Sequence, residues 1–218
     1  MDLNKAAARQ LAEVYASKKK EIISRLREFE RIWADSSDED IFTELAFCLL
    51  TPQSRAKSCW EAIMTMKDEN LLLEGTADEI KKSLRCVRFH NKKAQYLVEA
   101  RRLFLKDGRI SIKPLLKGFA DIHECRDWLV KNIKGLGYKE AGHFLRNIGF
   151  GEEISILDRH ILRNLNRLEV IEEIPESLGR IKYLQIEKKM SAFSKKIGIP
   201  LAHLDLLLWY RETGEIFK

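Results

Sequence analysis

Apolar residues recur at helical spacing along nearly the whole of this chain, and that periodicity leaves little room for a sheet. Residues 4–33 carry the longest stripe. Leu11, Val14, Tyr15, Ile22, Ile23, Leu26, Phe29, Ile32 and Trp33 fall on one face of a helix with about 3.6 residues per turn. The polar run DSSDED at 35–40 supplies an N-cap for a second helix, Ile41 to Leu50. Pro52 interrupts, and a third helix follows from about Arg55 to Met66. TADEIKKSL (76–84) predicts a short helix capped by Thr76. The next covers 91–106 and stops at the Asp107–Gly108 break. Asp121 caps a helix reaching about Ile133, and KEAGHFLRNIG (139–149) forms another with Gly149 just past its end. Segments 159–168, 177–196 and 201–213 complete the series. No alternating pattern persists for more than a few residues. The expected fold is all-α, one unit over 1–218 made of two helical lobes with a cleft between them.

A chain of 218 residues can bury a real core. No apolar run approaches the roughly 20 residues of a membrane span. MDLNKAAARQLAEVY lacks the apolar segment of a signal peptide, so the expectation is an intracellular protein. The four cysteines, Cys48, Cys59, Cys86 and Cys125, form no CxxC pair. That argues against a zinc knuckle or a cysteine-ligated iron–sulfur cluster. Most of them sit among apolar helical residues and read as small core side chains. His90, His123, His143 and His203 make no spaced ligand set, so no catalytic metal is expected. A net charge of +6 fits a nucleic-acid partner without requiring one. The richness in Lys, Glu and Ile points to a thermophilic source.

The residues IKGLGYKEA (133–141) place a tight GLG turn between two helices. Helix, hydrophobic residue, G-h-G, helix is the helix-hairpin-helix pattern. Its slim turn, Lys134, Gly135, Leu136 and Gly137, presents backbone N–H groups at a helix N-terminus, and such donors grip phosphate oxygens without reading sequence. Lys131, Lys134 and Lys139 add positive charge nearby. An ordinary corner between two helices also favours glycine, but I-K-G-L-G-x-x-x-A is longer than a corner requires.

Lys139 falls in the first turn of its helix, where the helix dipole disfavours a cation. That placement favours the neutral, nucleophilic amine, able to form a Schiff base. The plainer alternative is a solvated or phosphate-binding lysine. In SILDRHILRNL (155–165), Asp158 precedes a helix and reads as its N-cap. A carboxylate there can also face the hairpin lysine. It can then steady positive charge developing on a sugar, or help deprotonate an attacking amine. The two roles are compatible.

Three stretches, LLTPQSRA (49–56), IKGLGYKEAGHFLRNIG (133–149) and LDRHIL (157–162), resemble the helix-hairpin-helix DNA glycosylases of the endonuclease III superfamily. The resemblance implies that Lys139 is the Schiff-base nucleophile at the deoxyribose C1′ and Asp158 its catalytic carboxylate. Gln53 matches the glutamine that enters the DNA near the vacated base. Lys134 stands where a proline is often found, which costs turn rigidity and leaves the chemistry intact. Endonuclease III and the adenine glycosylase usually carry an iron–sulfur cluster that these cysteines cannot make. Alkylbase glycosylases lack the hairpin lysine, and the eukaryotic-type 8-oxoguanine enzyme adds an N-terminal sheet domain. GLGYKEAGHFLRNIG, VRFHNKKAQYL (87–97) and LDLLLWYRETGEIFK (204–218) are similar to the remaining branch, the archaeal-type 8-oxoguanine DNA glycosylase/AP lyases.

That resemblance implies excision of 8-oxoguanine from double-stranded DNA and cleavage of the strand at the abasic site. No cofactor is expected, and a cytoplasmic monomer is the default expectation. Family members often hold a monovalent cation at hairpin carbonyls, here near Ile133 and Leu136. Oxidation at C8 turns guanine N7 from an acceptor into an N–H donor, so the pocket must offer an acceptor that guanine cannot satisfy. Asp205 and the terminal carboxylate of Lys218 are candidates. Asp205 lies among leucines and needs a partner of its own. Trp209 and Phe89 are candidates to stack on the base, or else core aromatics. His160 is a candidate phosphate contact, or a structural histidine. Two other readings stay open: the same chemistry on another oxidised base, and a non-catalytic hairpin that only binds DNA.

Overall fold

A computed structural model describes residues 5–217, with side chains from Ala7 onward. In chain order the helices are α1 (Lys5–Asp35), α2 (Asp38–Leu50), α3 (Ala56–Asp68), α4 (Leu71–Glu74), α5 (Ala77–Ser83) and α6 (His90–Phe104). After a small hairpin come α7 (Lys113–Lys117), α8 (Ile122–Asn132), α9 (Tyr138–Asn147), α10 (Arg159–Arg167), α11 (Arg180–Ile197) and α12 (Leu201–Thr213). Among the described residues no helix is long and apolar enough to cross a membrane.

The local chemistry explains the boundaries. Ser37 caps α2 through a reciprocal pair: its hydroxyl accepts the Asp40 amide at 3.1 Å, and the Asp40 carboxylate accepts the Ser37 amide at 3.1 Å. The cap starts α2 at Asp38, three residues before the first apolar position. Thr76 and Glu79 do the same for α5. Two other expected ends move as well. The helix expected over 91–106 stops at Phe104, because Leu105 and Lys106 pair with Ile110 and Arg109 as strands β1 (Leu105–Lys106) and β2 (Arg109–Ile110). Asp107 (φ 49°) and Gly108 (φ 76°) are both left-handed, which is what a two-residue hairpin turn demands. The helix expected from 177 starts at Arg180, since Gly179 is extended (φ −69°, ψ 163°).

Two apolar clusters form the cores. One runs from Ile41 to Ile154 and draws on α2 to α9. The other joins Leu11 and Ile22 of α1 to residues 157–208 of α10, α11 and α12. The first helix therefore closes the C-terminal lobe with the stripe from Leu11 to Leu26, while Ile32 and Trp33 at its end pack on the first core. The expected two lobes are present, and α9 runs along the seam between them.

Buried charge pairs cross that seam. Arg146 of α9 meets Asp205 of α12 at 2.9 Å. Arg126 of α8 makes two 2.7 Å bonds to Glu187 of α11. Removing one partner of such a pair typically costs about 3–5 kcal/mol, because the other charge is left buried alone. The same groups hold the extended stretch 155–157. The Ser155 amide donates to Glu187 at 2.7 Å, the Ile156 amide to Asp205 at 3.0 Å, and the Leu157 amide to the Tyr183 hydroxyl at 3.2 Å. The Tyr183 hydroxyl in turn donates to the Ser155 carbonyl at 2.6 Å. Gly142 lets α9 lie against this stretch, since a Cβ there would stand 3.3 Å from the Ser155 carbonyl oxygen. Asp158 follows immediately, so its position is set by α11 and α12 side chains that Arg126 and Arg146 tie to the other lobe.

Candidate active site

The GLG turn lies between α8 and α9. The Leu136 amide donates to the Ile133 carbonyl at 3.2 Å, and Gly135 is left-handed at φ 85°. A Cβ at Gly135 would fall 2.3 Å from the Tyr96 ring of α6. Glycine is needed there on both counts, for the backbone conformation and for the close approach. Gly137 is the N-cap of α9 and brings no side chain to its first turn. Leu136 is buried in the first lobe, so its side chain anchors the turn and only its main chain is left for a ligand. Lys134 stands over the Tyr96 ring at 5.7 Å, with Glu99 at 3.6 Å.

Lys139 sits in the first turn of α9 with its side chain about a quarter exposed (26%). Its ammonium lies 3.0 Å from a carboxylate oxygen of Glu140, a neighbour the sequence reading did not weigh. Lys139 and Asp158 line the same cavity of about 280 Å³ in the cleft. Asp158 is the N-cap of α10, and its carboxylate accepts the Ile161 amide at 2.8 Å. Burial pushes this carboxyl above its ordinary range, while the Ile161 amide, His160 and the Lys139 ammonium pull it back. A carboxyl raised in this way titrates nearer the range where a proton acceptor works best.

Asp205, Trp209, His160 and Gln53 line the same cavity. Asp205 has the partner it was expected to need, Arg146. Burial opposes the charge on both members, pushing Asp205 up to about 6 and drawing Arg146 down. Arginine keeps its proton throughout the range where proteins fold, so the pair titrates at the carboxyl. His160 packs edge-on against Trp209, ring centres 5.1 Å apart, and faces Glu212 at 3.7 Å. Its ring thus braces the aromatic wall of the cavity, while its side chain stays about a third exposed (36%).

Phe89 stands apart from the cavity lining. It is 53% exposed at the N-cap of α6, with the Arg88 guanidinium 5.5 Å from its ring. Phe89 (φ 59°) and Gln53 (φ 53°) both hold a left-handed backbone. For a residue with a Cβ that costs roughly 1–2 kcal/mol. Lys218 lies outside the described residues. The tail leading to it crosses between lobes: Glu215 pairs with Lys57 of α3 at 2.9 Å, and Phe217 packs on the first core. Among the described residues no group of three His, Cys, Asp or Glu side chains could hold a metal ion. Cys48, Cys59 and Cys125 are buried and Cys86 is exposed. Burial pushes the Cys59 thiol up to about 11 and the Cys125 thiol up to about 12, which leaves them inert core groups.

The family model described as 8-oxoguanine DNA glycosylase matches residues 22–199. The chain belongs to the 8-oxoguanine DNA glycosylase family. It is 49% identical over 209 residues to the 8-oxoguanine DNA glycosylase/AP lyase of Fusobacterium nucleatum, covering 96% of each chain. To the protein of the same description from Methanocaldococcus jannaschii it is 38% identical over 213 residues, covering 96% of this chain and 98% of the other. The crystal structure of the 8-oxoguanine DNA glycosylase of Thermotoga maritima superposes with a TM-score of 0.87 at 33% identity, over 98% of this chain and 99% of that one. The Methanocaldococcus jannaschii glycosylase/lyase in complex with 15mer DNA containing 8-oxoguanine superposes with a TM-score of 0.87 at 36% identity, over 97% and 99%. The all-α, two-lobed expectation agrees with this glycosylase family.

Several residues that build this glycosylase site were missed in the sequence. Arg146, Arg126, Glu187 and Tyr183 read as ordinary helix residues, yet they fix the stretch before Asp158. Tyr96 backs the hairpin glycine. Lys93 is buried beneath the turn that carries Gln53. For Lys93 a signal existed: with Leu97, Ala100 and Phe104 it lies on the buried face of α6.

Proposed function

We infer that this chain is a bifunctional DNA repair enzyme, an 8-oxoguanine DNA N-glycosylase with AP lyase activity. The observation that carries the reading is the meeting of Lys139 and Asp158, from opposite sides of the seam, on one cavity beside the hairpin, in a chain of this family. The hairpin main chain at Gly135, Leu136 and Gly137, with Lys134, holds the phosphates of double-stranded DNA. The damaged nucleotide leaves the stack and enters the cavity, and Gln53 reaches into the space it vacates. Trp209 offers a face for the base, and Asp205 offers the acceptor for the N7 proton.

The Lys139 amine attacks C1′. The new N–C1′ bond forms as the bond from C1′ to the base breaks; the base departs with the bonding electron pair, and Asp158 steadies the positive charge on the sugar and takes the proton released by the amine, which ends on the departing base. The sugar opens to an imine with Lys139. Loss of a C2′ proton then expels the 3′ phosphate, which cuts the strand by β-elimination. The enzyme acts as a monomer on DNA inside a prokaryotic cell.

Ile133 and Leu136 flank the left-handed Gly135, and the Ile133 carbonyl spends one of its two lone pairs on the Leu136 amide. The remaining capacity suits a monovalent cation bridging hairpin and phosphate. Equal duplex affinity in potassium and in tetramethylammonium at matched ionic strength removes that cation from the account. The substrate is tested by base release from duplexes carrying 8-oxoguanine, an oxidised pyrimidine or guanine. Release of 8-oxoguanine far above the others is expected, and preference for the oxidised pyrimidine would overturn the assignment.

A further inference from the structure

Gln53 and Phe89 stand on neighbouring turns, and a buried lysine braces the two together. Lys93, in the first turn of α6, is 4% exposed. Its ammonium donates to the carbonyl oxygens of Leu50 and Pro52 at 2.7 Å each, and to the Ser54 hydroxyl at 3.1 Å. An ammonium has three protons, and each of these has an acceptor. Ser54 Oγ also accepts the Arg88 amide at 3.1 Å, which ties the Gln53 turn to the one that ends at Phe89. A lysine is almost never buried this deeply, and here its bonds go to three neutral oxygens of a single turn. One helical turn further along α6, Tyr96 backs the hairpin glycine. A single helix thus registers the Gln53 turn and the hairpin against each other.

We propose that Lys93 is a positioning residue for nucleotide extrusion: by pinning the 51–54 turn it holds Gln53 in the left-handed conformation that aims it at the cleft. The proposal rests on the functional reading above. A side chain that fills the gap left by an extruded base must already be in place when the base leaves, because misplacement by about 1 Å can cost on the order of 100-fold. Lys93 would act through Gln53 and touch neither base nor sugar.

The test compares two substrates, duplex DNA with one 8-oxoguanine and single-stranded DNA with one abasic site. The second needs no extrusion, so it reads Lys139 chemistry without the Gln53 step. Lys93→Met is expected to lower excision on the duplex about 10- to 100-fold more than cleavage of the single strand. The same selective loss is expected from Gln53→Ala, with little further loss in the double variant, because both changes remove one function. Lys93→Arg, which keeps a buried donor, should return part of the rate. An equal fall on both substrates, or full additivity with Gln53→Ala, overturns the proposal. If Lys93→Met shows no cooperative melting, Ser54→Ala carries the same test by the same criteria, since it removes one Lys93 acceptor and the Arg88 link. Wild-type chain that leaves 8-oxoguanine in place would overturn the functional reading and the proposal with it. Wild-type excision combined with an equal fall overturns the role of Lys93 alone.

Discussion

The Asp158 carboxylate caps α10, and the proposed function gives it a second job as proton acceptor, which substitution can separate from the first. Its oxygen caps α10 by accepting the Ile161 amide at 2.8 Å. Asparagine is as good an N-cap as aspartate, whereas alanine removes the acceptor at a cost of about 0.5–2 kcal/mol. For a chain of 218 residues each kcal/mol moves Tm by about 2–4 °C. Asp158→Ala is therefore expected to lower Tm by about 1–8 °C. Asp158→Asn is expected to hold or raise it. Burial disfavours the charged form of Asp158, so its folded carboxyl titrates above the unfolded one. The stability tied to this group is then present in full below the unfolded value and is lost as pH rises through the folded value. Both variants lose the proton acceptor and are expected to lose about 10²- to 10⁴-fold in single-turnover excision of 8-oxoguanine. Thermal melting beside that kinetic assay checks both halves. An asparagine variant with wild-type rate refutes the catalytic carboxylate, and one as unstable as the alanine variant refutes the cap.

Two further outcomes follow from the geometry and a third from the family resemblance. Gly135→Ala puts a Cβ 2.3 Å from the Tyr96 ring at φ 85°. It is expected to cost about 2 kcal/mol or more in denaturant unfolding, with part returned by Tyr96→Ala; a variant as stable as wild type contradicts the account of the turn. Burial pushes the Asp205 carboxyl up to about 6, so if Asp205 accepts the N7 proton, that capacity fades as pH falls below this value. Discrimination of 8-oxoguanine from guanine should narrow there, and a flat ratio from pH 5 to 8, on the scale of ordinary protein working conditions, removes Asp205 from base reading. If the Lys218 carboxylate reads the lesion, residues appended after it should weaken the same discrimination, and an unchanged ratio removes Lys218.

Features written in local order were legible in the sequence. Thr76, Asp121 and Asp158 cap the helices they precede, the GLG turn stands where its glycines put it, and the two lobes follow from apolar spacing. Lys139 and Asp158 drew notice because each lies in a stretch that resembles the family, beside a turn or a cap, and the fold brings both to one cavity. Long-range pairing left no such trace. Arg126 and Glu187 look like two solvated charges on separate helices until folding buries them together. Lys93 looks like half of a surface lysine pair, although its place on the apolar face of α6 marks it. Phe89 could not be placed from the sequence, which left a stacking ring and a core aromatic both open; folding puts it, exposed and left-handed, at the N-cap of α6 outside the cavity lining. Glu140 shows the same limit at close range, since adjacency in sequence does not say that its carboxylate will turn to meet Lys139.

The most direct test of the central claim is borohydride trapping on duplex DNA with one 8-oxoguanine, with wild type and Lys139→Gln side by side. A Schiff base at Lys139 predicts a covalent protein–DNA adduct from wild type and none from the variant, although both bind the duplex. An adduct that persists in Lys139→Gln, or none from wild type despite tight binding, would contradict it.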